Sequence, residues 1–293
     1  MDNKLNNMLN EFLENADIEN EEDIQKYLDE FIEKYNAGAI EYENTPLDDA
    51  YDLLEEAENA KTMKDAKRLA KKAFETSNAC FDAKMFLADI EENSLKSRKI
   101  LNEGLEFEKK RLEQEGFFDK ENIGSFYGIF ETRPYIRGLY TKARNLSDEG
   151  KYKKAIEVCK EILRLNENDN TGARYLLMAL YAVVEDEKAM LDLYRKYNEE
   201  INLEMLFPLF ALYYKKEDDS KAKKYLDMVN KNNKHFIKFF KETIKLEEDS
   251  MSGYYSRGNA SEVLMYMREY FFLVCTLTNI DDYIIENTKK SKN

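Results

Sequence analysis

The chain has 293 residues, enough for two ordinary domains or one long repeat array, and its 45 basic and 59 acidic side chains give a net charge of −14. That balance argues against a nucleic-acid partner, because phosphate contacts need a basic footprint. Charged residues make up 35%, prolines number 3 and glycines 10, and no apolar run rich in Val and Ile appears, which excludes a large buried parallel sheet.

Residues 1–45 form an acidic extension. Leu5, Met8, Leu9 and Phe12, then Ile24, Tyr27, Leu28, Phe31 and Ile32, fall at helical spacing and predict two amphipathic helices. The start, MDNKLNNMLNEFLENAD, lacks a basic segment followed by an apolar core, and the most apolar stretch, 270–277, is too short to span a bilayer. A cytoplasmic protein with no membrane partner is therefore expected. Asn44, Thr45 and Pro46 supply a stop, with Pro46 placed for the first turn of the next helix.

Paired helices follow over 46–233. Ala50, Leu53, Leu54 and Ala57 mark one helix, and Ala66, Leu69, Ala70, Ala73 and Phe74 the next. Met85, Leu87, Ala88 and Ile90 open a second pair, closed by a longer helix through Leu101, Gly104, Leu105 and Leu112 that ends near Gly116. Residues 117–132, FFDKENIGSFYGIFET, break the period and read as an aromatic connector packed on the array. The period resumes with Ile136, Leu139, Ala143 and Leu146, turns at Gly150, and continues through Ala155, Ile162, Leu176, Leu180, Leu193, Leu206, Leu209, Tyr213, Leu226 and Val229. Residues 234–293 read as a helical cap and tail, with a turn at SGYYSRGN, a final helix from about Ser261, and a solvated end at Lys289, Lys290 and Lys292. The pattern predicts that about two-thirds or more of the chain is helical, with no substantial sheet.

Ala155, Ala189 and Ala222 lie 34 and 33 residues apart, each just inside the second helix of a pair. A small residue there lets the two helices approach, and each pair leaves an apolar face that only a neighbour can cover. Counted from Ile136, the residues Ala143, Gly150, Tyr152, Ala155 and Ile162 resemble the tetratricopeptide repeat, with Glu167 where that family places proline. Thr132, Arg133, Pro134 and Tyr135, with Leu163, Arg164, Leu165, Asn166, Asp169, Asn170, Gly172, Arg174 and Tyr175, are similar to a segment of bacterial tetratricopeptide proteins related to the suppressor-of-tumorigenicity-seven family. The resemblance implies an all-α, right-handed solenoid with N- and C-terminal helical caps and a scaffolding role. It brings no reaction.

In that fold the first helix of each pair lines a concave groove. The family pattern puts Arg137, Tyr140 and Arg144 there from one unit, Arg174, Met178 and Tyr181 from the next, and Phe207 and Tyr214 from the third. Arginines recognise carboxylates through paired hydrogen bonds and aromatics anchor apolar side chains, so the partner expected is a protein or peptide segment, and one carrying acidic groups would suit these arginines. The same arginines also suit ion pairs with neighbouring helices, while Asn166, Asp169 and Asn170 suit helix capping and Thr132, Arg133, Pro134 and Tyr135 suit packing.

No phosphate-binding glycine loop, nucleophile elbow or metalloprotease helix is present. The single histidine, His235, stands at a predicted helix start with no nucleophile motif to serve. Cys80, Cys159 and Cys275 are odd in number and far apart, which predicts buried apolar thiols and no metal site. A non-catalytic scaffold without cofactor is the first expectation. An assembly subunit whose groove is filled by its own termini or another copy is the second, and an unrecognised enzyme the third. The sequence sets no oligomeric state.

Overall fold

A computed structural model describes residues 3–14, 16, 20–241 and 256–289. The fold is all-helical, 71% helix, with no strand among the described residues, as the periodicity predicts. Two compact units divide at Gly116, where the aromatic connector begins: residues 1–115 and 116–293. Two residues of the connector, Gly124 and Ser125, make isolated bridge-like backbone contacts with Asn166. Of the turn expected at SGYYSRGN, residues 252–255 lie outside the described residues, as does the tail from 290.

The first unit holds α1 (Asn3–Glu14), α2 (Glu21–Asn36), α3 (Pro46–Glu58), α4 (Met63–Thr76), α5 (Phe81–Asp89) and α6 (Ser94–Gln114). Pro46 opens α3 as expected, behind a capping box in which the Thr45 hydroxyl accepts from the Asp48 backbone N–H and the Asp48 carboxylate accepts from that of Thr45. Helices α3 to α6 pack each on the next around Ala50, Leu54, Ala57, Ala70, Ala73, Cys80, Ala83 and Leu87. A core so rich in alanine lets helix axes come close. Gly104 of α6 is part of the same device: a Cβ there would stand 2.9 Å from the Phe81 ring.

The second unit holds α7 (Arg133–Asp148), α8 (Tyr152–Leu165), α9 (Ala173–Val184), α10 (Glu187–Lys196), α11 (Leu203–Lys215) and α12 (Asp219–Asn232). These form three successive pairs. The second helix of each pair packs on the first of the next, and the first helices of neighbouring pairs also meet, α7 with α9 and α9 with α11. Ala143 and Ala155 are fully buried on the packed helices α7 and α8.

The same turn joins the two helices of all three pairs. Backbone N–H groups of Lys151, Asp186 and Asp218 donate to the carbonyls of Leu146, Tyr181 and Tyr213, five residues back, at 2.8, 3.0 and 3.0 Å. The residue before each donor is left-handed: Gly150 at φ 70°, Glu185 at 60° and Glu217 at 58°. Glycine takes that conformation freely, whereas glutamate does so at a cost that the surrounding turn offsets. The periodic turn was therefore visible in the sequence at Gly150 alone.

The closing segment contains α13 (His235–Phe240), α14 (Ala260–Glu269), α15 (Phe271–Val274) and α16 (Ile280–Lys289). His235 begins α13, its backbone N–H held by the Asn233 side chain at 2.9 Å. The single final helix expected from Ser261 is broken into three pieces. Tertiary packing breaks it: α14 meets α11, α15 meets α9 and α16 meets α13, and one straight helix could not reach all three. Asn279 at φ 55° turns the chain into the last piece. The break leaves Cys275 exposed, whereas Cys80 and Cys159 are buried as expected.

Candidate functional site

The connector and the exit of α8 fasten each other. Gly124 and Phe126 donate backbone N–H bonds to the Leu165 carbonyl at 3.1 and 3.0 Å, and the Glu167 N–H donates to the Gly124 carbonyl at 2.8 Å. A proline at 167 would lose that donor, so this exit turn is set by the connector instead. The Thr132 hydroxyl, fully buried, donates to the Phe126 carbonyl, and the Arg133 Nε to that of Tyr127 at 2.8 Å. Arg133 also lies over the rings of Tyr127 and Phe130, and Phe118 packs edge-on against Phe126 and Tyr135. With Pro134 buried at the start of α7, Thr132, Arg133, Pro134 and Tyr135 all serve to lock this connector.

The turn into α9 is organised by Asp169. Its carboxylate accepts from the backbone N–H groups of Ala173 at 2.7 Å and Arg174 at 3.0 Å, capping the helix, and from the Arg174 guanidinium at 2.9 Å. The Asp169 side chain is 0% exposed and that of Arg174 17%. Burial pushes the Asp169 carboxyl up, while the Arg174 hydrogen bonds hold it down. Arg174 also meets Glu200 at 3.3 Å and lies 4.1 Å from the centre of the Tyr175 ring and 5.1 Å from that of Tyr197. Asn166 is buried with its side-chain nitrogen unpartnered among the described residues, and Asn170 is exposed.

Arg144 faces the closing segment. Its guanidinium contacts the Glu269 carboxylate at 2.7 Å and donates to the Glu269 carbonyl at 2.8 Å, and it lies over the Tyr270 ring. Arg137, also on α7, is exposed, and Tyr140 is half-buried, its hydroxyl pushed up to about 12 by burial. Met178 and Phe207 are core residues, fully buried, and Tyr181 is 5% exposed. This departs from the expected open lining, and the cause is tertiary. Helix α9 is enclosed by α7, α8, α10, α11 and α15, and Phe207 packs against Phe210, Phe236 and Tyr266 at 5.8, 5.4 and 5.4 Å. Tyr214 meets the Tyr283 ring at 4.9 Å and donates to the Thr278 carbonyl at 2.6 Å.

The structure thus brings Tyr140, Arg144 and Arg174 near one another through residues absent from the sequence-derived set: Glu200, Tyr266, Glu269 and Tyr270. All four lie outside α7, α9 and α11. Only the spacing of Tyr266 on α14 and Tyr270 at its C-cap, four residues apart, marked a face needing cover. Among the described residues no three His, Cys, Asp or Glu side chains gather to hold a metal ion, and no helix is long and apolar enough to cross a membrane. No protein-family model matches the chain, and no curated protein sequence matches it.

Proposed function

We propose that this chain is a non-catalytic helical-repeat protein, a solenoid of tetratricopeptide type, acting as a structural or assembly subunit whose inner groove is filled by its own residues 260–285. The observation that carries the reading is that Arg144, Phe207 and Tyr214, on three first-helix positions expected to line the groove, meet Glu269, Tyr266, and Thr278 with Tyr283. The repeated pair-to-pair packing and the recurrent left-handed turn support the repeat architecture. Amide hydrogen exchange on the intact protein tests the occupied groove. Residues 260–285 are expected to be protected about as well as α9 and α11. Rapid exchange over 260–285 with α9 still protected would overturn it.

A second reading is favoured by how Arg144 is held. Glu269 offers it both a carboxylate and a carbonyl, which is the contact an acidic peptide was expected to make. On that reading the chain's own acidic segment stands in for a partner's and is displaced by it. Adding an acidic peptide would then raise exchange over 260–285 alone.

A further inference from the structure

Charge is segregated within the first unit. Residues 1–45 carry 13 acidic and 3 basic side chains, a net −10 of the chain's −14, whereas residues 61–72 carry six basic and one acidic, a net +5. The basic run is displayed on one face. Lys64, Arg68, Lys71 and Lys72 of α4 fall at helical spacing, opposite the buried Ala66, Ala70 and Ala73 by which that helix packs. Lys61 precedes the cap and Glu75 closes the stripe. Lys61, Lys64, Lys71 and Lys72 are exposed and make no ion pair among the described residues, while Arg68 meets Asp65 of its own helix at 3.4 Å.

A complementary face stands on α2. Ile24, Leu28, Ile32 and Tyr35 recur along that helix as one stripe, and Ile24, Ile32 and Tyr35 are 41%, 54% and 43% exposed. Helix α2 packs chiefly on α1, and Phe31 is its one buried side chain among the described residues. The apolar stripe is thus left uncovered. Asp29 and Glu33, both exposed, run along its flank, while Lys26 and Lys34 lie away from it, Lys34 paired with Glu30 at 2.7 Å. The two helices match in length, 16 and 14 residues.

We infer that the basic face of α4 docks the α2 face of a second copy of this chain. The methylene stems of Lys64, Lys71 and Lys72 cover Ile24, Ile32 and Tyr35, and their ammonium groups reach Asp29 and Glu33. Exposed ion pairs are individually weak, so the apolar stripe supplies the affinity and the charges set orientation and register. A membrane surface or a nucleic acid fits less well, because an extended polyanion would also meet the acidic extension of the same unit. A second copy presents that extension as the ligand. The contact lies within residues 1–115 and does not depend on how the groove of the second unit is filled.

Sedimentation equilibrium of the intact protein tests it. In low salt the mass is expected to rise with concentration above the 34.6 kDa of one chain. The association should weaken as salt approaches about 1 M, where charges are screened over about 3 Å. The triple variant Lys64→Glu, Lys71→Glu, Lys72→Glu and the double variant Asp29→Lys, Glu33→Lys should each associate about tenfold or more weakly. An equimolar mixture of the two should recover the association, since each reversed face then meets its complement. Ile32→Ser should weaken it without changing its salt dependence, and circular dichroism should show unchanged helix content in all three variants. A monomer in low salt at millimolar concentration would overturn the proposal. So would association unchanged in the two charge variants, or no recovery on mixing them. A wild-type monomer that binds anionic vesicles or duplex DNA through the α4 lysines would also overturn it, by giving the face a different occupant.

Discussion

Replacing Arg174 by methionine removes the charge while keeping much of the apolar stem, and leaves the Asp169 carboxylate, 0% exposed, without its cation. Breaking a buried pair in this way costs about 3–5 kcal/mol when the orphaned charge has no other partner. Here the carboxylate keeps the two backbone N–H donors of Ala173 and residue 174, at 2.7 and 3.0 Å, which reduces that cost. Loss of the guanidinium over the Tyr175 and Tyr197 rings adds back about 0.5–1 kcal/mol. Glu200, with 27% of its side chain exposed, recovers water and contributes little. The expected loss is about 3 kcal/mol in urea unfolding, against less than about 0.5 for the exposed Lys153→Met. The pH dependence identifies the cause. Arg174 holds down a carboxyl that burial raises, so its removal lifts the folded Asp169 further. A carboxyl raised in the folded state destabilises when ionised, fully above its folded pKa and less as pH falls through it. The deficit of Arg174→Met should therefore shrink from neutral toward acid pH, and should fall to the ring contribution of about 0.5–1 kcal/mol against an Asp169→Asn background. A deficit below about 0.5 kcal/mol, or one that grows on acidification, would refute the account of a buried, cation-dependent carboxylate.

Ala155→Leu adds bulk to a fully buried position on α8 where α7 packs, and should cost about 1–3 kcal/mol, whereas Lys153→Leu on the exposed face should not; equal stability in denaturant would mean the helix-pair packing is misassigned. A thiol reagent should label Cys275 in the native protein, while Cys80 and Cys159, buried and with thiols pushed up to about 12, should react only after unfolding. Hydrogen bonds from Lys216 and Tyr213 lower the Glu187 carboxyl to about 2 from 4.5, so its contribution is present above about 4.5 and lost as pH falls toward 2. Glu187→Gln should thus lower the melting temperature at neutral pH by an amount worth under about 1 kcal/mol, and the gap should close in acid.

Hydrophobic spacing, the small residues and the Pro46 stop were enough to read α1 to α12, because an amphipathic stripe and a cap are local properties of a few consecutive residues. The pairing of α7 with α8 could be read from Gly150 and the alanines for the same reason. The fate of the arginines could not. Arg144 and Glu269 are 125 residues apart, Arg174 and Glu200 26, and in a chain with 59 acidic residues no local pattern marks which carboxylate an arginine will meet. Met178 and Phe207, expected from the resemblance to line a groove, are fully buried; α15 packs on the helix that carries Met178, and Tyr266 packs on Phe207. Periodicity identifies the face of a helix that must be covered or exposed. Which segment does the covering is settled by packing among elements distant in sequence, where burial of apolar area outweighs any preference encoded locally.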